Sequence, residues 1–288
     1  MELRKLRDFG ENINDTFQFI RQEFKPLLKS FFAIAGVLIL VTGIVSGYYQ
    51  SGSVSDFLKA LNGIEQRGRS LDQIFTPTYF LLLLLSTFNF ILMRVVLVVY
   101  VKLYDIKGGI SPTVEEVWKE MLHYIVPVFF YSILLGIIVG LGCVLCVAPG
   151  IYLMVVFAPV NFIFIIEDLS FGNAYSRCFY LIKENFWNSL GLYLVVYLIY
   201  AFSSGVIGVG TSVIAGFAAY FTTKDIAATV RIVSGILSVF QQVFYIIFSV
   251  SIALQYFNLV EQKDGAGLLR RIENLGDDTA DTSNNEQF

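Results

Sequence analysis

The sequence predicts an all-α membrane protein: a bundle of six transmembrane helices built as three hairpins, each preceded by a short cytoplasmic amphipathic helix. The strongest observation is a stretch of 46 residues between Glu120 and Glu167 that carries no formal charge. Apolar residues make up 56% of the chain and charged residues only 15%, against about a quarter in soluble domains. The apolar runs show no alternation with a period of two, which favours helices over the strands of an outer-membrane barrel.

Five uncharged stretches define the spans. In the stretch of 46 residues, the first half can cross a hydrocarbon core of about 30 Å at a rise of about 1.5 Å per residue, and the second half is slightly short, so its last turn is expected to run past Glu167. Pro149-Gly150 supplies its break, because Pro cannot continue a helix and Gly accepts the angles of a tight turn. The other stretches, 26, 21, 39 and 29 residues long, each hold one span. The predicted spans are 29–49, 79–102, 124–147, 151–166, 189–209 and 232–257.

The chain is predicted to divide into three parts. Residues 1–28 form a cytoplasmic amphipathic segment, 29–260 the six-span transmembrane domain, and 261–288 a cytoplasmic tail. The tail is expected to be disordered from about residue 277, because it is rich in Asp, Thr, Asn and Glu. The segment 210–231 contains a short apolar run, Val213 to Phe221, followed by Lys224 and Asp225, so it either extends the fifth span or re-enters the membrane.

Two of the segments that precede the hairpins have the same form. Phe9-Gly10 and Phe171-Gly172 are each followed, at equal spacing, by Phe, Ile, a basic residue and Phe. The middle segment has a helix start at Ser111-Pro112-Thr113, with acidic residues after it. These features favour three repeated units. The alternative is that aromatic juxtamembrane helices occur in any polytopic protein, because such rings prefer the interface.

The Lys and Arg residues orient the protein. Of the 20 in the chain, fourteen lie in segments on the N-terminal side of the membrane, five lie on the opposite side, and Arg94 lies within a span. Because basic residues concentrate in cytoplasmic loops, both termini and the segments 103–123 and 167–188 are predicted to be cytoplasmic. A cleaved signal peptide is not expected, since a long polar segment precedes the first span.

Residues 149–187 resemble a bacterial family of polytopic membrane proteins, which includes the membrane domain attached to glycerophosphoryl diester phosphodiesterases and many uncharacterised inner-membrane relatives. Cys178 stands where that family commonly has Ser, and no phosphodiesterase domain follows the last span. The resemblance implies a fold and an inner-membrane location rather than a reaction. The residues that carry it are Pro149-Gly150-Ile151-Tyr152, Pro159, Glu167-Asp168, Phe171-Gly172-Asn173-Ala174, Arg177 and Lys183-Glu184-Asn185-Phe186-Trp187.

The composition argues against an enzyme. His123 is the single histidine, whereas the carotenoid oxygenases, whose label some similar proteins carry, hold iron with several histidines. Cys143 and Cys146 form a C-x-x-C pattern without a second ligand pair, which favours helix packing over a zinc site. The metal-binding clusters of a phosphodiesterase and a nucleotide-binding glycine loop are missing. We therefore expect no catalytic, cofactor-binding or metal-binding residues.

Polar groups inside the spans are the candidate functional residues, because they are costly in hydrocarbon. Arg94 either snorkels from a helix that ends early or pairs with Glu167 near a cytoplasmic helix end. Asn161 is expected to form a hydrogen bond between helices. Gln241 and Gln242 either do the same or line a substrate path.

The segment 170–187 is the candidate contact surface. Its apolar residues recur at spacings of three and four, which predicts a helix lying in the membrane interface. Arg177 is expected to reach lipid phosphate or the carboxylate of Glu167. Trp187 is expected to anchor the junction with the fifth span.

Small residues and prolines are expected to shape the bundle. Gly136-x-x-x-Gly140 lets backbones approach closely, either within one chain or between two copies. Pro159 is expected to kink the fourth span.

Two classes of function remain. The first is an integral inner-membrane protein without catalytic activity, a scaffold or accessory protein that acts through its cytoplasmic interfacial helices. The alternative is a transporter or permease-like protein for a small or amphiphilic solute. Transporters usually place several ionisable groups at the midplane, so the sequence favours the first class. The expected partners are membrane lipids and a protein partner or a second copy of the chain, with no nucleic acid. The expected location is the bacterial inner membrane.

The topology is testable by cysteine labelling. In a variant whose native thiols are replaced, single cysteines at positions 115 and 175 should resist an impermeant reagent added to intact cells, and should react after the cells are opened. Labelling of either position from outside would overturn the assignment.

Overall fold

The computed structural model describes residues 1–61, 76–218 and 226–265, and all of its regular elements there are α-helices. Six helical stretches in these ranges are long and apolar enough to cross a membrane. This confirms the predicted all-α class with six spans. The helices are α1 (Phe9–Leu61), α2 (Pro77–Ile106), α3 (Val114–Leu145), α4 (Val147–Phe157), α5 (Val160–Ile166), α6 (Phe171–Ile182), α7 (Phe186–Ala218) and α8 (Ile226–Asp264).

The amphipathic segments before the first two hairpins are not separate helices. α1 runs without interruption through the N-terminal segment into the first span, with Pro26 inside it. α3 likewise begins at Val114 and continues past Pro127. A single proline removes one backbone hydrogen bond, and a helix supported by its neighbours can continue through it. Only α6 is separate from the span that follows it, because residues 183–185 form a turn between Ile182 and Phe186.

The third and fourth spans are joined at Cys146. This is two residues before Ala148, where the break between the predicted spans 124–147 and 151–166 begins. Cys146 is extended, with φ −165° and ψ 137°. Pro149 therefore lies in the first turn of α4, where its missing N–H costs no intrahelical hydrogen bond. Gly150 allows two helices to pack closely, rather than forming a turn. A Cβ atom at this position would lie 2.8 Å from the Cα of Cys143, so α3 and α4 meet too closely for a side chain.

Pro159 interrupts the fourth span, as the sequence predicts. α4 ends at Phe157 and α5 begins at Val160. The N–H of Ala158 donates to the carbonyl of Val155 at 3.4 Å, three residues back instead of four. The span thus consists of two helical pieces, and a local irregularity lies within it.

The helix of the fifth span is longer than the predicted span. α7 continues to Ala218, so residues 210–218 are helical, whereas the apolar part that can cross the membrane is Phe186–Val206. Residues 219–225 and 266–288 lie outside the described residues, and so does the side chain of Gln241. The predicted disorder from about residue 277 falls in this part.

α1 and α8 form the centre of the bundle. α1 packs along α8 and α2, and α7 packs on the other side of α8. Every residue of α8 from 249 to 260 is buried. We call the end of the bundle that holds residues 1–8 and 258–265 the terminal face, and the opposite end, which holds Pro77 and Cys146, the distal face.

Buried polar side chains tie the N-terminal residues to α8. The backbone N–H of Arg7 donates to Oδ1 of Asn258 at 2.9 Å, and Nδ2 of Asn258 donates to the Arg7 carbonyl at 3.0 Å. Nδ2 of Asn12 donates to Oε1 of Gln255 at 2.9 Å. Nε2 of Gln255 in turn donates to Oγ of Ser189 at 3.0 Å. Buried amides and hydroxyls need such partners because they have lost water.

Gly136 and Gly140 do not bring helices together within this chain. A Cβ atom added at either position would meet no described atom within 4 Å. The close approach occurs one turn further, where a Cβ on Gly142 would lie 3.2 Å from Leu153. The intramolecular form of the prediction is therefore wrong. Contact between two copies at this face stays a prediction.

Gly150 should be sensitive to substitution by alanine. Gly150→Ala should destabilise the protein by about 1–3 kcal/mol, the usual cost of overpacking. Gly140→Ala is the matched control, because it adds the same methyl group where space is open. The control should be neutral or stabilising by up to about 1 kcal/mol, since Ala favours helix over Gly. Thermal melting in one mild detergent compares the two, and equal melting temperatures would contradict the close approach.

Candidate functional site in the membrane-spanning region

Arg94 lies where α2 changes from exposed to buried. Leu84, toward the distal face, is 64% exposed, whereas Val95 to Val101 are all at or below 2%. α2 continues to Ile106, so about 18 Å of helix separates Arg94 from its end. The alternative in which the helix ends early near Arg94 is therefore wrong. The guanidinium lies within the span, above a sealed layer of side chains.

The contacts of Arg94 are polar but uncharged. Its Nε donates to the hydroxyl of Tyr245 at 3.2 Å. The guanidinium also lies over the ring of Phe90, 5.2 Å from the ring centre, a favourable arrangement for a desolvated cation. Among the described residues, no carboxylate forms an ion pair with Arg94.

Asn161 links Arg94 to α3. With the amide nitrogen of Asn161 donating to the hydroxyl of Tyr131, its carbonyl oxygen accepts from Nη1 and Nε of Arg94, at 3.0 and 3.2 Å. In this orientation both neighbours of Asn161 have a hydrogen-bond partner. In the reverse orientation the amide nitrogen of Asn161, which is a donor, would face the N–H donors of Arg94. Asn161 is 1% exposed. The predicted interhelical role of Asn161 is confirmed, and it includes holding the guanidinium in place.

A cavity of about 1260 Å³ opens beside Arg94 on its distal side. It lies between α2, α3, the α4–α5 pair and α8, and most of its wall is apolar. Arg94 is the one charged residue among the described residues that line it. The volume exceeds the roughly 300–1,000 Å³ of common small-molecule pockets. We call this space the Arg94 cavity.

The Arg94 cavity is bordered by exposed side chains on the side of the bundle. Its rim includes Leu84, Ile137 and Met154, which are 64%, 55% and 53% exposed. Gly136 also lines it, and the absence of a side chain there leaves the wall open. In a membrane, this opening meets the hydrocarbon chains of lipid. The cavity is therefore reachable by a molecule dissolved in the bilayer.

Gln242 is not among the described residues that line the Arg94 cavity. Gln242 accepts a hydrogen bond from Nδ2 of Asn89 at 2.8 Å, which joins α8 to α2. This confirms the interhelical alternative for Gln242. For Gln241, whose side chain is outside the described part, both alternatives stay open.

Glu167 pairs with Arg177 rather than with Arg94. Its Oε2 lies 3.1 Å from Nε of Arg177, and its Oε1 accepts from the hydroxyl of Tyr256 at 3.1 Å. The predicted Arg94–Glu167 pair is wrong, because Glu167 lies beyond the end of α5 at the terminal face. The predicted contact between Arg177 and Glu167 is confirmed.

Arg177 is held by two carboxylates. Besides Glu167, both of its Nη atoms donate to the carboxylate of Asp264 at the end of α8. Burial by itself lowers the pKa of Arg177, but the hydrogen bond to Asp264 and the charge of Glu167 outweigh it, so the pKa is raised above its usual value. The guanidinium stays charged and engaged within the protein.

α6 occupies most of the predicted contact surface. Ala174, Cys178 and Leu181 on it are fully buried, so this face packs into the protein. Burial raises the pKa of the Cys178 thiol to about 12, and the thiol stays neutral. Trp187, just past α6, is 80% exposed, as an interfacial anchor would be.

Comparisons of the chain with protein-family models, with curated proteins and with solved structures found no match. The site must therefore be interpreted from its own geometry.

The clamp of Arg177 should contribute measurably to stability. In a double-mutant cycle of Arg177→Ala and Asp264→Ala, we expect a coupling of about 1 kcal/mol, because both groups are partly shielded from water. Lys119 and Glu115 form the control pair, since they are 72% and 76% exposed. Their coupling should stay below about 0.5 kcal/mol. Thermal melting of the unmodified protein and the six variants gives both values, and equal couplings would show that the clamp adds nothing.

Proposed function

We propose that this protein is a non-catalytic integral membrane protein that binds an amphiphilic solute in the Arg94 cavity, in the manner of a carrier or permease. The observation that supports this proposal is a charged group at the closed end of a lipid-accessible apolar cavity. A buried cation without a carboxylate partner is expensive in a membrane, and such residues usually mark substrate sites. An amphiphile with a polar end would supply the missing partner.

The fourth span adds support. Discontinuous helices near the midplane are common in transporters, because broken helices expose backbone groups to a substrate. The interruption between Phe157 and Val160 borders the Arg94 cavity, which Phe157, Ala158 and Val160 line. The sequence predicts only a kink at Pro159. The position of this proline beside the Arg94 cavity favours a solute-binding function over a scaffold.

The scaffold remains the second candidate. Exposed aromatic rings at the terminal face favour it, notably Trp187 and Tyr180, which are 80% and 51% exposed. Arg177 does not favour it, since its guanidinium is already bound by two carboxylates. We also propose the bacterial inner membrane as the location, with the terminal face cytoplasmic, on the basis of the resemblance and of the basic residues.

The proposal predicts that filling the cavity removes a bound amphiphile. The protein purified in mild detergent should retain a stoichiometric amphiphilic molecule, detected by mass spectrometry of its lipid extract. Gly136→Trp places an indole in the cavity and should abolish this retention. Gly140→Trp adds the same side chain one turn away, outside the cavity lining, and should leave retention unchanged.

Two results would contradict the proposal. Copurification of a defined protein, with no retained small molecule, would favour the scaffold. Equal retention by both tryptophan variants would show that the bound molecule lies elsewhere.

A further inference from the structure

The Arg94 cavity is polarised along the membrane normal. Its charge lies at the closed end near the middle of the span, and its apolar walls extend from there toward the distal face. Leu83, also in the lining, is eleven residues from Arg94 in α2, about 16 Å along the helix axis. This is about half of a hydrocarbon core of about 30 Å. The cavity thus has the length of a chain in one leaflet.

The hydrogen bonds of Arg94 leave part of its guanidinium free. Nε bonds to Tyr245, and with Asn161 in its satisfied orientation Nε and Nη1 bond to that residue. Nη2 has no hydrogen-bond partner among the described residues. An arginine carries five N–H donors in a planar fork that matches a carboxylate. Donors therefore remain for an anionic group that enters the cavity.

The charge of the cavity favours a ligand with one negative charge over a ligand with two. Arg94 contributes a single positive charge, and no second cation lines the described wall of the cavity. A phosphate monoester carries about −1.5 to −2 charges at neutral pH, so it would leave a net negative charge in hydrocarbon. A carboxylate carries one charge and is neutralised by Arg94 alone.

Ordinary membrane phospholipids do not fit this polarity. A phospholipid of the distal leaflet keeps its headgroup at the distal surface and places chain ends at the midplane. Its chain ends would then face Arg94, and the cation would gain no charge partner. A ligand that satisfies Arg94 must instead have its polar end pointing inward.

Resting on the proposed function, we propose that the ligand of the Arg94 cavity is a single-chain carboxylic acid, bound with its carboxylate on Arg94 at the midplane and its chain directed toward the distal face. Tyr131 and Ser132 line the same cavity and place hydroxyl groups on the α3 side of the site. The hydrocarbon chain lies against the apolar walls of α2 and α3. The ligand enters sideways from the bilayer.

The test is a competition experiment on the full chain in nanodiscs of a zwitterionic lipid. Tritiated dodecanoic acid is the probe, and unlabelled dodecanoic acid, dodecan-1-ol and dodecyl phosphate are the competitors. We expect the acid to displace the probe at concentrations at least about tenfold lower than the alcohol or the phosphate, because a charge-assisted hydrogen bond is the difference. Gly136→Trp should abolish binding of the probe.

Variants at Arg94 assign the preference to that residue. Direct binding of tritiated dodecanoic acid and tritiated dodecan-1-ol should show that Arg94→Gln removes the preference for the acid and keeps the alcohol bound. Lys119→Gln, which removes a basic charge at the terminal face, should keep the preference. If Arg94→Gln does not fold, the competition series on the unmodified protein decides.

Each outcome has a distinct meaning. Binding of neither acid nor alcohol would contradict the proposed function as a whole. Equal binding of acid and alcohol would overturn the carboxylate and leave the apolar cavity as the site. Stronger displacement by dodecyl phosphate would overturn the charge argument.

Discussion

Hydrocarbon offers no hydrogen bonds, so each polar group of a spanning helix must find its partner within the protein or in a bound molecule. The structure meets this constraint with paired side chains at two places where α8 passes its neighbours. Asn12, Gln255 and Ser189 form one chain of contacts, and Asn89 with Gln242 forms another. The packing of α1, α2 and α7 around α8 follows from these pairs together with the buried apolar surface. Arg94 differs from these pairs, because its hydrogen-bond partners are neutral and no described carboxylate matches its charge.

The two halves of the bundle meet the constraint differently. Toward the terminal face, α2 is sealed from Val95 to Val101. There Arg4 joins the N-terminal segment to the end of α2, and Arg177 joins α6 to the end of α8. Toward the distal face, α2 and α3 diverge enough to leave the Arg94 cavity open to the side. Gly136 contributes to this opening by withholding a side chain. The bundle is thus rigidly cross-linked at one end and accessible at the other.

The distribution of charged residues along the sequence was sufficient to predict the fold class and the number of spans. The reason is that the thickness of the hydrocarbon core sets the length of the uncharged run that a spanning helix needs. The sequence also singled out Arg94, Asn161, Glu167 and Arg177 as candidate functional residues. The predicted pair of Arg94 with Glu167 was wrong. The number of residues between a side chain and the nearest loop indicates how deep the side chain lies in the membrane, but not toward which neighbouring helix it points. Tyr131 and Tyr245 were missed because a phenol within an aromatic-rich span carries no distinguishing signal. The cavity could not be predicted, because it depends on space left between helices.

The hydrogen bonds between Arg7 and Asn258 join residues 251 positions apart. Such a contact is among the most non-local that a chain of this length can make, and non-local contacts form late because the intervening loop must close first. During biosynthesis, the partners of Arg7 and Asn12 become available only when α8 has been made and inserted. Until then these groups stay exposed at the membrane surface and are available to chaperones and membrane proteases. The contact between Arg7 and Asn258 therefore forms only in a completed bundle and not in a partial one.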